Sequence, residues 1–364
     1  MSDLRPLGRL PLLFLGMLAL VVGTLAGLAR LGWAVPGPAA AQAGVHGVLM
    51  IAAFFGTVIS LERAVALGRL WAYLGPAGAG LGGLALIAGV PLPVGAGLLV
   101  LGAAVLVAGS VVVLHRLTAP FTLVLAGGAA AWLVGNSLLL VTGDPTAAVP
   151  WWLAFLVLTI AGERLELTRF LPTPAVGRQV FLAIVAIIGG GALAAFWSAA
   201  GLTVFGGGLL ALALWLLRYD IARRNAGQQG LTRYIALCLL SGYCWLALAG
   251  LLGLAGAFAP GHSWRDTALH AVGLGFVFAM VFGHAPIIFP AVARVKIPYH
   301  PFFYLPLVLL HLSLALRTAG VAADNFALRQ AGGLANASVL LLFIVTMLAS
   351  VWRGRRGAAA VANP

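Results

Sequence analysis

The sequence predicts an all-α polytopic membrane protein with twelve transmembrane helices. Of its 364 residues, 62% are hydrophobic and only 8% are charged, whereas soluble domains carry about 25% charged residues. The mean hydropathy is +1.09, and the apolar residues stand in long runs. A run of about 20 apolar residues crosses a bilayer as a helix. We therefore expect the lipid bilayer to surround the chain, and this composition excludes a soluble multidomain protein.

Breaks rich in charge, proline or glycine divide the sequence into twelve apolar segments. The first of them is too long for the hydrophobic part of a cleavable signal peptide, so we treat it as a span. We expect the spans to form a single transmembrane domain over residues 1–364. The predicted spans are 10–31, 44–66, 71–89, 94–115, 120–142, 149–168, 178–199, 201–219, 231–257, 267–289, 302–320 and 326–352.

The basic residues predict the orientation of these spans. If the N-terminus is cytoplasmic, only Arg30, Arg265, Arg317 and Arg329 of the 21 lysines and arginines fall on the outer side. Cytoplasmic loops of membrane proteins carry an excess of Lys and Arg. We therefore expect both termini in the cytoplasm. The net charge of +13 is then a topology signal, and no nucleic acid is expected as a partner.

Two of the predicted spans end in a similar charged pair. The second ends in Glu62-Arg63 and the sixth in Glu163-Arg164, and Arg294 follows the tenth. This spacing of four spans favours three pseudo-symmetric four-helix units: spans one to four, five to eight and nine to twelve. The alternative is that these charges pair at the membrane boundary and anchor the helix ends.

Two histidines open spans that run in the same direction, so they are expected near the outer surface at one depth. His46 begins the second span and His270 the tenth, and small residues follow both. Histidine is costly in hydrocarbon and usually functional there. Two neutral imidazoles at one depth suit axial ligation of haem b, each giving one nitrogen to the iron. The alternative to haem ligation is that each ring only forms a hydrogen bond with a neighbouring carbonyl.

Three other histidines are candidate metal ligands, with copper as the candidate metal. His284 follows His270 by 14 residues, or about 21 Å along a regular helix. At about 100° per residue the two share a face but lie in opposite leaflets, so one metal cannot bind both. His311 is mid-span and could be a copper ligand, a haem-propionate partner or a proton relay. His262 lies in an outer loop and could ligate a metal from above.

A few further residues are candidates for a buried pocket or for contacts between helices. Met50 and Tyr243 are expected to line the haem pocket, and Tyr243 could otherwise hydrogen-bond between helices. Asn136 stands in the middle of the fifth span. A polar amide there is expected to hydrogen-bond across helices.

Four stretches resemble motifs of a known family. They are "GVHGVLMIAAFFGTV", "LTIAGERLELTRFLP", "LSGYCWLALAGLLGL" and "ALHAVGLGFVFAMVFGH". In this order they resemble the NnrS-type family, twelve-span bacterial membrane proteins associated with haem, copper and the nitric oxide response. Where that family has His-x-His-Glu, only His46 is present, and "GHAPIIFP" replaces its Gly-His-Thr-Gly-Arg. The resemblance implies haem, with copper as a second metal.

A looser resemblance is to the catalytic subunit of haem–copper oxidases. That fold has twelve spans in three four-helix units and holds a low-spin haem between its second and tenth helices, the helices that carry His46 and His270 here. The sixth and seventh spans contain no histidine, although the oxidases place copper ligands there. The resemblance therefore implies a haem site without the oxidase chemistry.

These observations favour an integral-membrane haem b protein that binds, senses or processes nitric oxide or a related small gaseous or anionic ligand. One form of this function is an oxidoreductase, which would need an electron donor. Two alternatives stay open. The first is a haem-free transporter or channel with a histidine-lined path, and the second is a membrane scaffold or assembly factor in which the histidines are satisfied by hydrogen bonds.

Overall fold

The computed structural model describes residues 3–168, 171 and 174–362, with side chains as far as residue 355. The described residues are almost entirely helical and include no strand. Twelve of their helices are long and apolar enough to cross a membrane, which confirms the predicted all-α polytopic fold. We number them α1 to α12 in chain order: Pro6–Arg30, Val48–Leu67, Leu70–Ile87, Leu92–Arg116, Pro120–Thr142, Pro145–Leu167, Ala175–Ala194, Ala200–Tyr219, Gly230–Leu254, Arg265–Ala293, Pro301–Ala322 and Phe326–Arg355.

The chain divides into two compact units, Met1–Glu166 and Leu167–Pro364. Among the described residues, the first unit contains α1 to α6 and the second contains α7 to α12. The arrangement in three four-helix units stays a prediction. The stretch "LTIAGERLELTRFLP" crosses the boundary between the units in the sequence, and its residues 169, 170 and 172 lie outside the described part of the chain.

Small residues bring the helices of the first unit close together. A Cβ atom on Gly78 of α3 would lie 2.9 Å from the backbone nitrogen of Gly102 on α4, and one on Gly82 would lie 2.9 Å from the carbonyl of Gly95. Without hydrophobic attraction between helices in lipid, close van der Waals contact of this kind is a main source of association. These positions must therefore be glycine, because the facing backbone leaves no room for a Cβ atom.

The second unit uses the same device. A Cβ on Gly206 of α8 would lie 2.6 Å from the backbone of Gly253 on α9, and one on Gly332 of α12 would lie 2.6 Å from the backbone of Arg317 on α11. In each pair the two backbones thus come close together at a position where at least one helix has a glycine. The second contact brings α12 against the segment of α11 that carries Arg317.

One spanning helix in each unit contains a stretch with the wider i→i+5 hydrogen-bond pattern. In α2 this π-helical stretch is Val48–Phe55, directly after His46-Gly47, and in α10 it is Ala271–Phe278, directly after His270. Such stretches are rare and occur frequently at functional sites. The rotation of about 100° per residue does not hold over Ala271–Phe278, so the shared face expected for His270 and His284 does not follow.

Polar contacts tie three helices of the first unit together. Asn136 Nδ2 donates to the carbonyl of Leu99 at 3.0 Å, and its Oδ1 accepts from Trp152 Nε1 at 2.9 Å. This confirms the expected hydrogen bond between helices at Asn136. At one end of the unit, Arg63 of α2 pairs with Glu163 of α6 at 2.5 Å. The two Glu-Arg sequences therefore meet, as the charge-pairing alternative expects.

Candidate functional site

His46 is held against a glycine-rich face of α1. Its Nδ1 lies 2.7 Å from the carbonyl oxygen of Gly23. A Cβ on Gly27 would lie 2.7 Å from His46 Cε1 and 2.9 Å from Nδ1, so the imidazole occupies the space of a missing side chain. The absence of a side chain at Gly27 thus leaves the space on α1 in which the His46 ring lies.

The partner of Nδ1 fixes the tautomer of the neutral His46 ring. A carbonyl oxygen only accepts, so Nδ1 must carry the proton and the lone pair must lie on Nε2. Metal-bound histidines usually donate their second ring N–H to a carbonyl or a carboxylate, which orients the ring and raises its basicity. The geometry at Gly23 is of this kind.

His270 has the same arrangement in the second unit, with a carboxylate added. Its Nδ1 lies 2.8 Å from the carbonyl oxygen of Asp266 and 3.4 Å from Oδ1 of the same residue. Asp266 is in turn held by Arg317 through two hydrogen bonds, at 2.8 and 2.7 Å. In the neutral His270 ring, these two acceptors of Asp266 place the proton on Nδ1 and the lone pair on Nε2.

Met50 and Tyr243 lie beside the histidine-bearing helices of their own units. Met50 is one turn after His46 and packs on α1, since a Cβ on Gly23 would lie 2.9 Å from its Sδ. Tyr243 of α9 is fully buried, and its ring centroid is 6.3 Å from that of Phe276 in the π-helical stretch of α10. Met50 thus lies on the helix that follows His46, and Tyr243 contacts the helix that carries His270. Their role as pocket residues stays a prediction.

His284 shares the tautomer of His46 and His270. Its Nδ1 lies 2.8 Å from the carbonyl oxygen of Met280, so the proton is on Nδ1 here also. The ring lies past the π-helical stretch, between it and the prolines of α10, Pro286 and Pro290. His284 is thus the third described histidine whose Nε2 has the lone pair that a metal requires.

His311 has the opposite tautomer, with its proton on Nε2, because Nδ1 accepts a hydrogen bond and Nε2 donates one. Nδ1 accepts from Trp245 Nε1 at 3.0 Å, and Nε2 donates to Ser241 Oγ at 2.9 Å. The Ser241 hydroxyl in turn donates a hydrogen bond to the carbonyl of Leu237 at 2.7 Å. With both nitrogens used between α9 and α11, His311 is satisfied as a structural residue.

His262 also carries its proton on Nε2, since its Nδ1 accepts from the backbone nitrogen of Trp264 at 3.1 Å. Across the described residues, no three His, Cys, Asp or Glu side chains come together as a metal site. His262, His284 and His311 are therefore not brought into one donor set. A copper site stays a prediction that no described cluster supports.

The donor chemistry of His46 and His270 fits haem b. Haem iron accepts the nitrogen of a neutral imidazole, and both rings have Nδ1–H bound to a protein oxygen with the lone pair on Nε2. Both also stand directly before a π-helical stretch, one in each unit. Each histidine is therefore a chemically suitable axial ligand within its own unit.

One family model matches the chain over residues 9–352, which is almost the whole of it. The chain belongs to DUF8744, a family described as a domain of unknown function. The matched range reaches from α1 into α12. No curated protein matches the chain.

The sequence did not predict which residues contact the ring nitrogens of His46 and His270 and hold the two rings in place. Asp266 precedes His270 by four residues, one helical turn, and this spacing places a carboxylate beside the ring. Arg317 is among the few basic residues expected on the outer side, which was a second signal. Gly23 and Gly27 gave no such signal, because their contact with His46 depends on how α1 packs.

Proposed function

We propose that the protein is an integral-membrane haem b protein of NnrS type, with His46 and His270 as its candidate axial ligands. It would act in the response to nitric oxide or in related small-molecule redox chemistry. The observation that carries this proposal is the tautomer shared by the two neutral histidine rings, each within two residues of the start of a π-helical stretch. Copper is a second candidate metal through the family resemblance alone.

Neighbouring residues would hold the rings of His46 and His270 with the proton on Nδ1. The carbonyl of Gly23 holds the proton of His46 on Nδ1, and Asp266 does the same for His270. Arg317 keeps the Asp266 carboxylate in position. When bound, haem b would supply one-electron chemistry and a site for diatomic gases. With both His46 and His270 as ligands, electron transfer would be favoured over gas binding.

The distribution of basic residues supports an orientation with both termini in the cytoplasm, and the family resemblance supports a proposed location in the bacterial inner membrane. On this orientation His46 and His270 would lie toward the outer face. An electron donor and a small gaseous or anionic ligand would be the partners. An oxidoreductase activity on nitric oxide is the form of enzyme that this proposal includes.

An absorption spectrum tests the proposal. The full chain is purified in detergent from cells supplied with a haem precursor, and spectra are recorded oxidised and reduced. We expect a Soret band that shifts on reduction. His46→Ala and His270→Ala should each lower haem retention more than about tenfold, because loss of a ligand exceeds loss of its support. His115→Ala is the matched control, since His115 is exposed.

Rescue separates ligation from folding. Methionine also binds haem iron, so His46→Met should keep the haem with an altered spectrum, whereas His46→Ala should lose it. A colourless and metal-free preparation of the folded protein would overturn the proposal.

A haem-free transporter or channel is the second candidate. It is favoured by α10, which changes its hydrogen-bond pattern over Ala271–Phe278 and then contains Pro286 and Pro290. Irregular helices at membrane depth usually line a cavity, as in transporters. Solute uptake by reconstituted vesicles that depends on His284 would support this candidate.

A further inference from the structure

The first unit contains a cavity of about 310 Å³ that the histidines do not share. It lies where α2 and α4 end and α5 begins, between Ile59–Leu67, Val105–Leu117 and Thr122–Ala129. Thr159 of α6 closes one wall. The volume is at the lower end of the range for small-molecule pockets, about 300 to 1,000 Å³. The cavity is therefore large enough for a head group or a small ligand.

The charges of this cavity are of one sign. Arg63 and Arg116 line it, and among the described residues no acidic side chain does. Arg63 is fixed by Glu163 through Nη2 at 2.5 Å, and a guanidinium has further N–H donors. Arg116 is exposed at the end of α4. Two guanidinium groups over one cavity favour an anion with several oxygen atoms, such as a phosphate.

Apart from Arg116, the exposed residues of the cavity lining are apolar: Ala66, Val113 and Leu117. Val113 and Leu117 lie on either side of that arginine, and both are exposed. Most of the remaining lining is aliphatic or small. A ligand that satisfies this surface has an anionic head and a hydrocarbon portion beside it.

The hydroxyl groups of the cavity supply acceptors. Ser60, Ser110 and Thr159 donate to carbonyls of their own helices, at 2.5, 2.9 and 2.8 Å. Their hydroxyl hydrogens are thus used, and each oxygen has lone pairs left for a donor from a ligand. A head group that carries hydroxyl groups next to its phosphate would match this pattern.

We propose that this cavity binds the head group of an anionic glycerophospholipid. The phosphate would lie between Arg63 and Arg116, the head-group hydroxyls would donate to the serine and threonine oxygens, and the start of the acyl chains would lie along Val113 and Leu117. The lipid would be a stoichiometric ligand of the first unit, and this binding does not depend on haem.

Lipid retention by the full chain tests the proposal. The protein is incorporated into nanodiscs of equal phosphatidylglycerol and phosphatidylcholine, extracted in mild detergent, and weighed by native mass spectrometry. We expect one phosphatidylglycerol retained in preference to phosphatidylcholine. Arg116→Gln should weaken that retention about tenfold, as expected for loss of a charge-assisted contact. Arg223→Gln, at another exposed arginine, should leave it unchanged.

A second pair of variants tests the cavity without changing charge. Gly109 lines the cavity, and a Cβ there would meet nothing nearer than 3.9 Å. Gly109→Leu should fill the space and abolish retention. Gly97→Leu on the same helix has nothing within 4 Å of its Cβ and should retain the lipid.

Three outcomes would overturn the proposal. The first is equal retention of the two lipids, and the second is wild-type retention by Arg116→Gln and Gly109→Leu. The third is binding of inorganic phosphate or of a fatty acid that depends on Arg116 while phosphatidylglycerol does not bind. That last result would assign the cavity to a soluble anion or to a carboxylate.

Discussion

Arg317 on α11 holds the carboxylate of Asp266 on α10 from two sides, with Nε donating to Oδ2 at 2.8 Å and Nη2 donating to Oδ1 at 2.7 Å. A fork of this kind fixes both the position and the plane of the carboxylate. Oδ1 also lies 3.4 Å from His270 Nδ1, so the position of Arg317 on α11 helps to set the orientation of the His270 ring. A substitution at Arg317 should therefore change the orientation of His270.

Arg317→Met is expected to destabilise the protein, because it leaves the Asp266 carboxylate without its cation. The cost should be about 2 kcal/mol, below that of a fully buried pair, since the Asp266 side chain is 25% exposed. Thermal unfolding in detergent measures it. Asp266→Asn combined with Arg317→Met should recover part of the loss, as coupled residues do in a double-mutant cycle. Strictly additive losses would contradict the pairing.

Gly27→Ala is expected to displace His46. The added methyl would lie 2.7 Å from Cε1 of the ring, and overpacking of this kind costs about 1 to 3 kcal/mol. We expect reduced thermal stability together with reduced haem retention. Gly47→Ala is the matched control, because Gly47 adjoins His46 and a Cβ there meets nothing within 4 Å. Equal haem retention in both variants would show that the ring position does not matter.

The sequence was sufficient for the membrane architecture. Hydropathy and the breaks at charge, proline and glycine located twelve spans, because a helix in lipid must satisfy every backbone group within itself and needs a fixed length. The π-helical stretches were not foreseen. "VLMIAAFF" and "AVGLGFVF" have no residue that forces the wider pattern, which depends on packing around the helix.

The candidate site could be predicted only as residue types. Rarity in hydrocarbon singled out the histidines, but the tautomer that separates His46 from His311 depends on the atom each ring meets. Those atoms, the carbonyl of Gly23 and the indole of Trp245, belong to other helices. Contacts between helices far apart in sequence cannot be deduced from the periodicity of one segment.

His311→Leu is expected to change stability and not metal content. The substitution leaves Trp245 Nε1 without its acceptor and removes the donor to Ser241, so we expect a loss of about 2 kcal/mol. Trp245→Phe removes only one of the two bonds and should cost about 1 kcal/mol. Thermal unfolding and elemental analysis on the same preparations measure both quantities. Loss of a metal with stability unchanged would instead make His311 a ligand.

Asn136→Leu should be among the most destabilising single changes in the first unit. It removes the acceptor of Trp152 Nε1 and the donor to Leu99, and both Asn136 and Trp152 are fully buried. A buried polar group left unsatisfied costs about 1 to 3 kcal/mol, so two partners together should cost about 3 kcal/mol.

Two further variants serve as comparisons for Asn136→Leu. Asn136→Asp with a protonated carboxyl keeps the acceptor for Trp152 and can donate its O–H to the carbonyl of Leu99, so it should be destabilised less than Asn136→Leu. Ser338→Ala removes an exposed hydroxyl that bonds only its own helix and should change stability by less than about 0.5 kcal/mol. Thermal unfolding in one detergent compares all three. If Asn136→Leu were as stable as Ser338→Ala, α4, α5 and α6 would be held by apolar packing alone.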